Sequence, residues 1–216
     1  MLRSSAVSSL LPWLLIASGS YLLGSIPAGY LAGRFCDVDI RTKGSGNIGA
    51  TNALRVLGKK WGYAVFLVDF LKGLVPVVIA LQWGASVGVQ PLTAPGALAA
   101  FCSLVGHSFP IWLGFKGGKG IATSAGVIVG LFPAAFLICV GAWLLLFTTT
   151  RYVSVASIAA AVALPTAVTI LFLLQRADWL ALLVSIVMCA LAVWRHRSNI
   201  ARLRAGTEPR FERKKK

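Results

Sequence analysis

Long apolar runs dominate the chain and set its architecture. They fall at about 8–33, 61–82, 92–113, 120–150, 152–174 and 178–195, and several approach or exceed the ~20 residues of a membrane-spanning helix. Polar connectors separate them. The connector 34–60 carries Arg34, Arg41, Lys43, Arg55, Lys59 and Lys60, and 114–120 carries Lys116 and Lys119. The connector 83–91, "WGASVGVQP", is uncharged. Cytoplasmic connectors collect Lys and Arg, so the first two are expected inside and the third outside. The run 120–150 is too long for one ordinary span, and Pro133 near its middle interrupts the helical hydrogen-bond ladder. Two short or tilted helices, about 120–132 and 134–150, bring the total to seven. That count puts the N-terminus outside and both Arg151 and the basic tail in the cytoplasm. A five-span chain with 120–150 re-entrant is the alternative. The expected fold is an all-α polytopic membrane protein, one domain over 1–216 with a basic cytoplasmic tail at 196–216.

The first residues, "MLRSSAVSSLLPWLL", resemble a short signal sequence. The apolar run continues to about Gly33, so an uncleaved first helix is expected. No internal repeat is visible, which weighs against an inverted-repeat transporter.

Composition agrees with a membrane chain. Of 216 residues, 57% are apolar and only 12% charged, where a soluble domain has roughly half and a quarter. Lys and Arg number 21 against 6 Asp and Glu, a net charge of +15. In a soluble protein that excess would point to nucleic acid. Here cytoplasmic connectors account for it, so no nucleic-acid partner is expected, and room remains for an anionic substrate. With so few carboxylates, neither a metal site nor a paired-carboxylate mechanism is expected, and no cofactor. The cysteines, Cys36, Cys102, Cys139 and Cys189, form no CxxC and read as small packing residues.

Three polar clusters interrupt the apolar pattern. The first is "DIRTKGSGNIGATNALR", Asp39–Arg55. Gly44, Gly46 and Gly49 leave backbone N–H groups unshielded, and successive N–H groups can form an anion-binding concavity. Ser45, Asn47, Thr51 and Asn52 add neutral donors, and Arg55 a charged fork. A helix starting in "GATNALR" would aim its N-terminus at the same anion. A flexible cytoplasmic connector is the plain alternative.

The second is "GHSFPIWLGFKGGKGIATSAG", Gly106–Gly126. Lys116 and Lys119 flank Gly117 and Gly118, with Gly120 next. The logic is that of a phosphate loop, but the spacing is not that of a Walker motif, so nucleotide binding is not implied. A basic interfacial turn is the alternative. His107 reads as a satisfied structural donor. Asp69 and Lys72 share one helix face inside an apolar run, where ionisable groups are usually paired or functional; they read as a structural pair that could orient the basic loops.

The third joins "RYVSVAS", Arg151–Ser157, to the tail "WRHRSNIARLRAGTEPRFERKKK". Ser154 and Ser157 begin one helix. His196 and Asn199, three apart at the end of the last helix, can point the same way. The terminal lysines suit anionic lipid. In the seven-helix arrangement all three clusters face the cytoplasm, at the mouth of a hydrophobic bundle, as a phosphorylated head with an acyl chain would require.

Together with "GSIPAGYLAGRF", these motifs resemble the bacterial acyl-phosphate:glycerol-3-phosphate acyltransferase family, from about Gly24 to Glu208. The resemblance implies a multi-pass enzyme of the bacterial inner (plasma) membrane, with seven helices and its active site at the cytoplasmic face. It would move a fatty acyl group from acyl phosphate to the 1-hydroxyl of sn-glycerol 3-phosphate. The products would be lysophosphatidic acid and inorganic phosphate, in the first acylation step of phospholipid biosynthesis. No direct requirement for acyl-CoA or acyl carrier protein is expected. By motif position, Ser45 and Arg55 are the essential pair of the first cluster. The resemblance implies that the glycines of "KGGKG" and Lys119 would bind glycerol phosphate. Ser154, His196 and Asn199 complete the site, with Ser157 a close alternative to Ser154, and Glu208 supports its structure. His196 and a substrate phosphate oxygen both stand as candidate bases. A transporter for phosphorylated anions and a basic membrane scaffold are the readings from other classes.

Overall fold

The structure is a computed structural model that describes residues 2–211, with side chains from Leu10 onward. The terminal lysines expected to meet anionic lipid lie outside the described residues. Every regular element among the described residues is helical. In chain order they are α1 (Leu2–Gly24), α2 (Ala28–Phe35), α3 (Ala50–Val56), α4 (Lys59–Ser86), α5 (Ala94–Ser108), α6 (Ile121–Leu131), α7 (Pro133–Thr150), α8 (Val153–Leu173), α9 (Trp179–Arg195) and α10 (Arg197–Arg204). Short 3-10 turns lie at Ile40–Thr42 and Ile111–Leu113.

Five segments are long and apolar enough to cross a bilayer: Leu10–Phe35, Lys59–Ser86, Ala94–Leu113, Pro133–Thr150 and Val153–Leu173. Trp179–Arg195 with Arg197–Arg204 makes a sixth if that bent pair is one span. The expected break at Pro133 is present: α6 stops at Leu131 and α7 starts on Pro133 itself, the helical position that proline tolerates. At 1.5 Å per residue α6 is about 16 Å long, short of the ~30 Å hydrocarbon core.

The chain divides into two compact units between Leu131 and Phe132. In the first, α1 packs on α5 and α4 on α6 at backbone distance. A Cβ on Gly106 would overlap the Tyr21 carbonyl, and one on Gly126 the Phe70 carbonyl. Such small-residue seams replace the hydrophobic driving force that is missing between helices in lipid.

The first apolar run was expected as one continuous helix. It instead breaks after Gly24, and α2 resumes at Ala28 behind Pro27. Proline supplies no N–H, so the Leu23 carbonyl four residues upstream loses its helical partner and accepts the Ile26 N–H at 3.1 Å instead. The break is also tied to α4. Lys72 Nζ donates to the Ile26 carbonyl at 2.7 Å, and Asp69 Oδ1 holds the same ammonium at 2.8 Å.

In the second unit α7, α8 and α9 pack in sequence over a core of Ala156, Leu164, Ala167, Val168 and Met188. Asp178 caps α9, its carboxylate accepting the Ala181 N–H at 2.8 Å, the ordinary role of Asp at a helix start. The four cysteines carry free thiols.

Candidate active site

Clusters one and two belong to the first unit. A small core of Ala32, Ile40, Ile48, Ala53 and Val65 underlies both, because Leu113 of the second cluster packs against it. Tyr21 of α1 adds a tie, its hydroxyl donating to the Phe109 carbonyl at 3.0 Å.

Asn52 organises the first loop. Its side-chain oxygen accepts the Ser45 N–H at 2.8 Å, and its Nδ2 donates to the Ile40 and Lys43 carbonyls, both at 3.1 Å. The Gly46 N–H turns back onto the Lys43 carbonyl. The expected concavity of N–H groups is therefore not made by Ser45 and Gly46, whose donors are used inside the loop. Gly44 and Gly46 have φ of +59° and +69°, a region open to glycine. Asp39 accepts from Arg41 through both carboxylate oxygens, at 2.9 and 2.7 Å. These hydrogen bonds lower the Asp39 carboxyl to about 2. The Arg41 guanidinium also stacks over Tyr30. Ser45, Asn47 and Thr51 are half-buried on this frame, and Arg55 is exposed on α3.

In the second cluster the glycines press against the end of α5. The Gly117 N–H donates to the Ser108 carbonyl and the Gly118 N–H to the His107 carbonyl, both at 3.1 Å. These are helix C-terminal carbonyls without intrahelical partners. A Cβ on either glycine would overlap His107. The glycines were read as openings toward a phosphate; here their close backbone approach is to the helix end. Gly120 leads into α6, its carbonyl accepting the Ser124 N–H at 2.6 Å. Lys116 is exposed and Lys119 half-buried.

Below the loop lies a buried polar group. Asp69, Lys72, His107 and Thr123 are 2%, 6%, 4% and 0% exposed, which rules out a solvated surface pair. His107 Nδ1 is 3.2 Å from Thr123 Oγ1 and 3.7 Å from Asp69 Oδ1. The pairing of Asp69 with Lys72 was legible from their spacing. The third member, His107, and the carbonyl of Ile26 were not.

Cluster three belongs to the second unit. His196 and Asn199 were expected on one continuous helix end. The chain instead bends by 51° between α9 and α10, with His196 at the corner. The cause is local: His196 Nδ1 lies 2.7 Å from the Ala192 carbonyl, which its own backbone N–H also contacts. A side chain inserted into the helical ladder bends the helix. A carbonyl can only accept, so Nδ1 carries a proton, and in the neutral ring the lone pair is then on Nε2.

Asn199 Nδ2 donates to Glu208 Oε1 at 2.6 Å, and Arg202 Nε to Glu208 Oε2 at 2.8 Å. Burial raises the Glu208 carboxyl, but the donors of Asn199 and Arg202 and the neighbouring Ser154 hydroxyl outweigh it and hold the group below its ordinary range. Ser154 Oγ is buried beside this carboxylate but lacks the geometry of a full hydrogen bond. Ser157 faces elsewhere, accepting from Trp143 Nε1 at 3.4 Å. Between the two serines, Ser154 is the one that shares the Glu208–Asn199 group.

The glycerol-3-phosphate acyltransferase profile matches residues 14–206. This chain belongs to the glycerol-3-phosphate acyltransferase family. Relatives extend over nearly its whole length. A glycerol-3-phosphate acyltransferase of Synechococcus sp. (strain CC9902) is 44% identical over 96% of this chain and 99% of its own. One of Geobacter metallireducens is 48% identical over 92% and 97%. Two solved forms of PlsY, an integral membrane glycerol 3-phosphate acyltransferase, share the fold. Its glycerol 3-phosphate form gives a TM-score of 0.84 at 42% identity, covering 93% of this chain and 96% of that one. Its lysophosphatidic acid form gives 0.81 at 41%, with the same coverage. The family is thus membrane-embedded, as the apolar helices of this chain require.

Proposed function

We propose that this enzyme transfers a fatty acyl group from acyl phosphate to the 1-hydroxyl of sn-glycerol 3-phosphate, giving lysophosphatidic acid and inorganic phosphate. Family membership supports the acceptor. The donor rests on the motif resemblance and on the chemistry of the residues present. Acyl phosphate is a mixed anhydride with a good leaving group, so the hydroxyl can attack directly and no covalent enzyme intermediate is needed. The new bond joins the glycerol oxygen to the acyl carbon, the bond from that carbon to phosphate oxygen breaks, and the hydroxyl proton leaves to a base. Holding two substrates in line supplies much of the acceleration.

The observation that carries the reading is the electrostatics of the first unit. Arg55 on α3 and Lys119 on the second loop stand on segments that rest on one apolar core, while the nearby Asp39 is engaged by Arg41. Negative charge on phosphate and carbonyl oxygen would be met there by cations. Ser45 is the small donor of that loop. In the second unit His196, with its lone pair on Nε2, is one base, and a substrate phosphate oxygen is the other. Asn199 and Ser154 would assist, and Glu208 would orient Asn199. The basic connectors further support seven spans, with a cytoplasmic tail and active site.

The test is purified enzyme with acyl phosphate and labelled glycerol 3-phosphate. Labelled lysophosphatidic acid and one equivalent of phosphate are expected, with no product from acyl-CoA. Absence of lipid product, with uptake of label into proteoliposomes, would favour a transporter instead. His196→Ala separates the bases: full turnover across pH, with unchanged substrate binding, would leave the substrate phosphate as base.

A further inference from the structure

His107 stands between the membrane interior and the second loop. One edge of its ring faces down, with Nδ1 near Thr123 Oγ1 and Asp69 Oδ1. Both are oxygens that an Nδ1–H can approach as donor. Asp69 is fixed in turn by Lys72, whose ammonium reaches across to Ile26 at the α1–α2 break. The opposite edge faces up. Its Nε2 lies so close to Gly118 that a Cβ there would overlap it, and the His107 carbonyl accepts the Gly118 N–H. The ring is therefore pinned from below and forms the floor on which Gly118 rests. Lys119 follows immediately.

We propose that His107 is a positioning residue for glycerol 3-phosphate: its imidazole, anchored by Thr123 and the Asp69–Lys72 pair, sets the height of Gly117–Lys119 and so the placement of Lys119. This rests on reading that loop as the glycerol-phosphate site. His107 acts through the loop and touches no substrate. A flat ring with polar edges is what the place demands. An aliphatic side chain could fill the floor but would abandon Thr123 and Asp69, and a smaller one would let the loop sink.

The experiment compares full-length, detergent-purified His107→Ala, His107→Asn, Gly118→Ala, the double variant His107→Ala/Gly118→Ala, and Lys119→Ala. His107→Ala should raise KM for glycerol 3-phosphate about tenfold, a loss of acceptor binding, with kcat and KM for acyl phosphate little changed. His107→Asn keeps a donor near the Nδ1 position and should fall between it and the parent. Gly118→Ala should be severe alone and milder beside His107→Ala, because removing the ring makes room for the new methyl. Residues in contact show such coupling and distant ones do not. Equal effects of Gly118→Ala in both backgrounds, or a fall in kcat with the acceptor KM unmoved in His107→Asn, overturns the proposal. Lys119→Ala separates the failures. If it leaves the acceptor KM unchanged, the reading of the loop itself is wrong. If it raises that KM while the histidine variants do not, only the positioning role is wrong.

Discussion

The Asn52 side-chain oxygen accepts the Ser45 backbone N–H at 2.8 Å, and a Cβ on Gly44 would overlap that same oxygen. One side chain thus folds a loop of the first cluster, and the neighbouring glycine makes room for it. Asn52→Ala removes all three hydrogen bonds by which this side chain ties α3 to the loop, taking the acceptor from the Ser45 N–H and leaving the Ile40 carbonyl to the long 3.4 Å contact with the Lys43 N–H. A cost of roughly 1–3 kcal/mol is expected. Asn52→Asp should be worse at neutral pH, since a carboxylate would then face two carbonyl oxygens. Thermal unfolding in detergent, with KM for glycerol 3-phosphate, checks the order. An Asp variant as stable as the parent would show that the amide donors contribute little.

Much of this was legible because the signals were local. Pro133 inside an overlong apolar run announced a helix start, and the three-residue spacing of Asp69 and Lys72 announced a pair. What escaped depends on partners distant in sequence. An Asn in a Gly-rich loop reads as a donor toward a ligand, yet nothing in "GATNALR" says that its amide turns to Ile40 and Lys43. The glycines of "KGGKG" read as an open phosphate cradle, but Ser108 and His107, nine and eleven positions earlier, take up the N–H groups of Gly117 and Gly118. Pro27 was visible in "GSIPAG", yet the unbroken hydrophobicity around it masked the end of α1. His196 and Asn199 have helical spacing, but the imidazole's approach to Ala192 bends the axis between them.

Lys72 should be needed more than its ion pair alone would suggest. Lys72→Met leaves Asp69 without its ammonium and removes the Lys72 donor from the Ile26 carbonyl. Breaking one side of a buried pair costs about 3–5 kcal/mol. Asp69→Asn keeps Lys72 on Ile26 and should be milder. The double variant Asp69→Asn/Lys72→Met should recover part of the loss, because no uncompensated charge remains. Melting curves of the three proteins decide; a double variant no better than Lys72→Met would place the cost in the helix break rather than in the charge.

Glu208 gives the second unit a pH dependence with a definite sign. Its folded carboxyl lies below the ordinary 4.5. The stability it contributes is therefore fully present above that value and is lost as pH falls through the folded one. Glu208→Gln should destabilise at pH 7 by roughly 1.5–3 kcal/mol, the range for hydrogen bonds to a charged group. The gap to the parent should narrow in acid, as the parent's carboxylate is protonated too. Thermal melts from neutral pH down to the acid limit of folding would show it. A gap independent of pH would mean that the glutamine shape, not the charge, is at fault.

The tail beyond Glu208 should matter for the same group. Arg151 ends α7 with φ of +64°, which leaves the last carbonyls of that helix without intrahelical donors. The tail supplies them: Arg210 Nε donates to the Thr150 carbonyl and the Phe211 N–H to the Arg151 carbonyl, both at 3.0 Å. The Phe211 ring meets Phe147 edge-on at 5.8 Å, and the Arg210 guanidinium lies over Tyr152 at 5.6 Å. Glu208 is thereby held between two anchors, α10 on one side and the α7–α8 turn on the other. Phe211→Ala removes the ring anchor without touching the carboxylate, at about 1–2 kcal/mol for a half-buried aromatic. If the tail positions Glu208, then Phe211→Ala and Glu208→Gln act on one clasp, and their combined cost must be less than their sum. A double-mutant cycle on unfolding free energy measures this. Strict additivity would make Phe211 a local packing residue and leave the orientation of Asn199 to Glu208 and α10 alone.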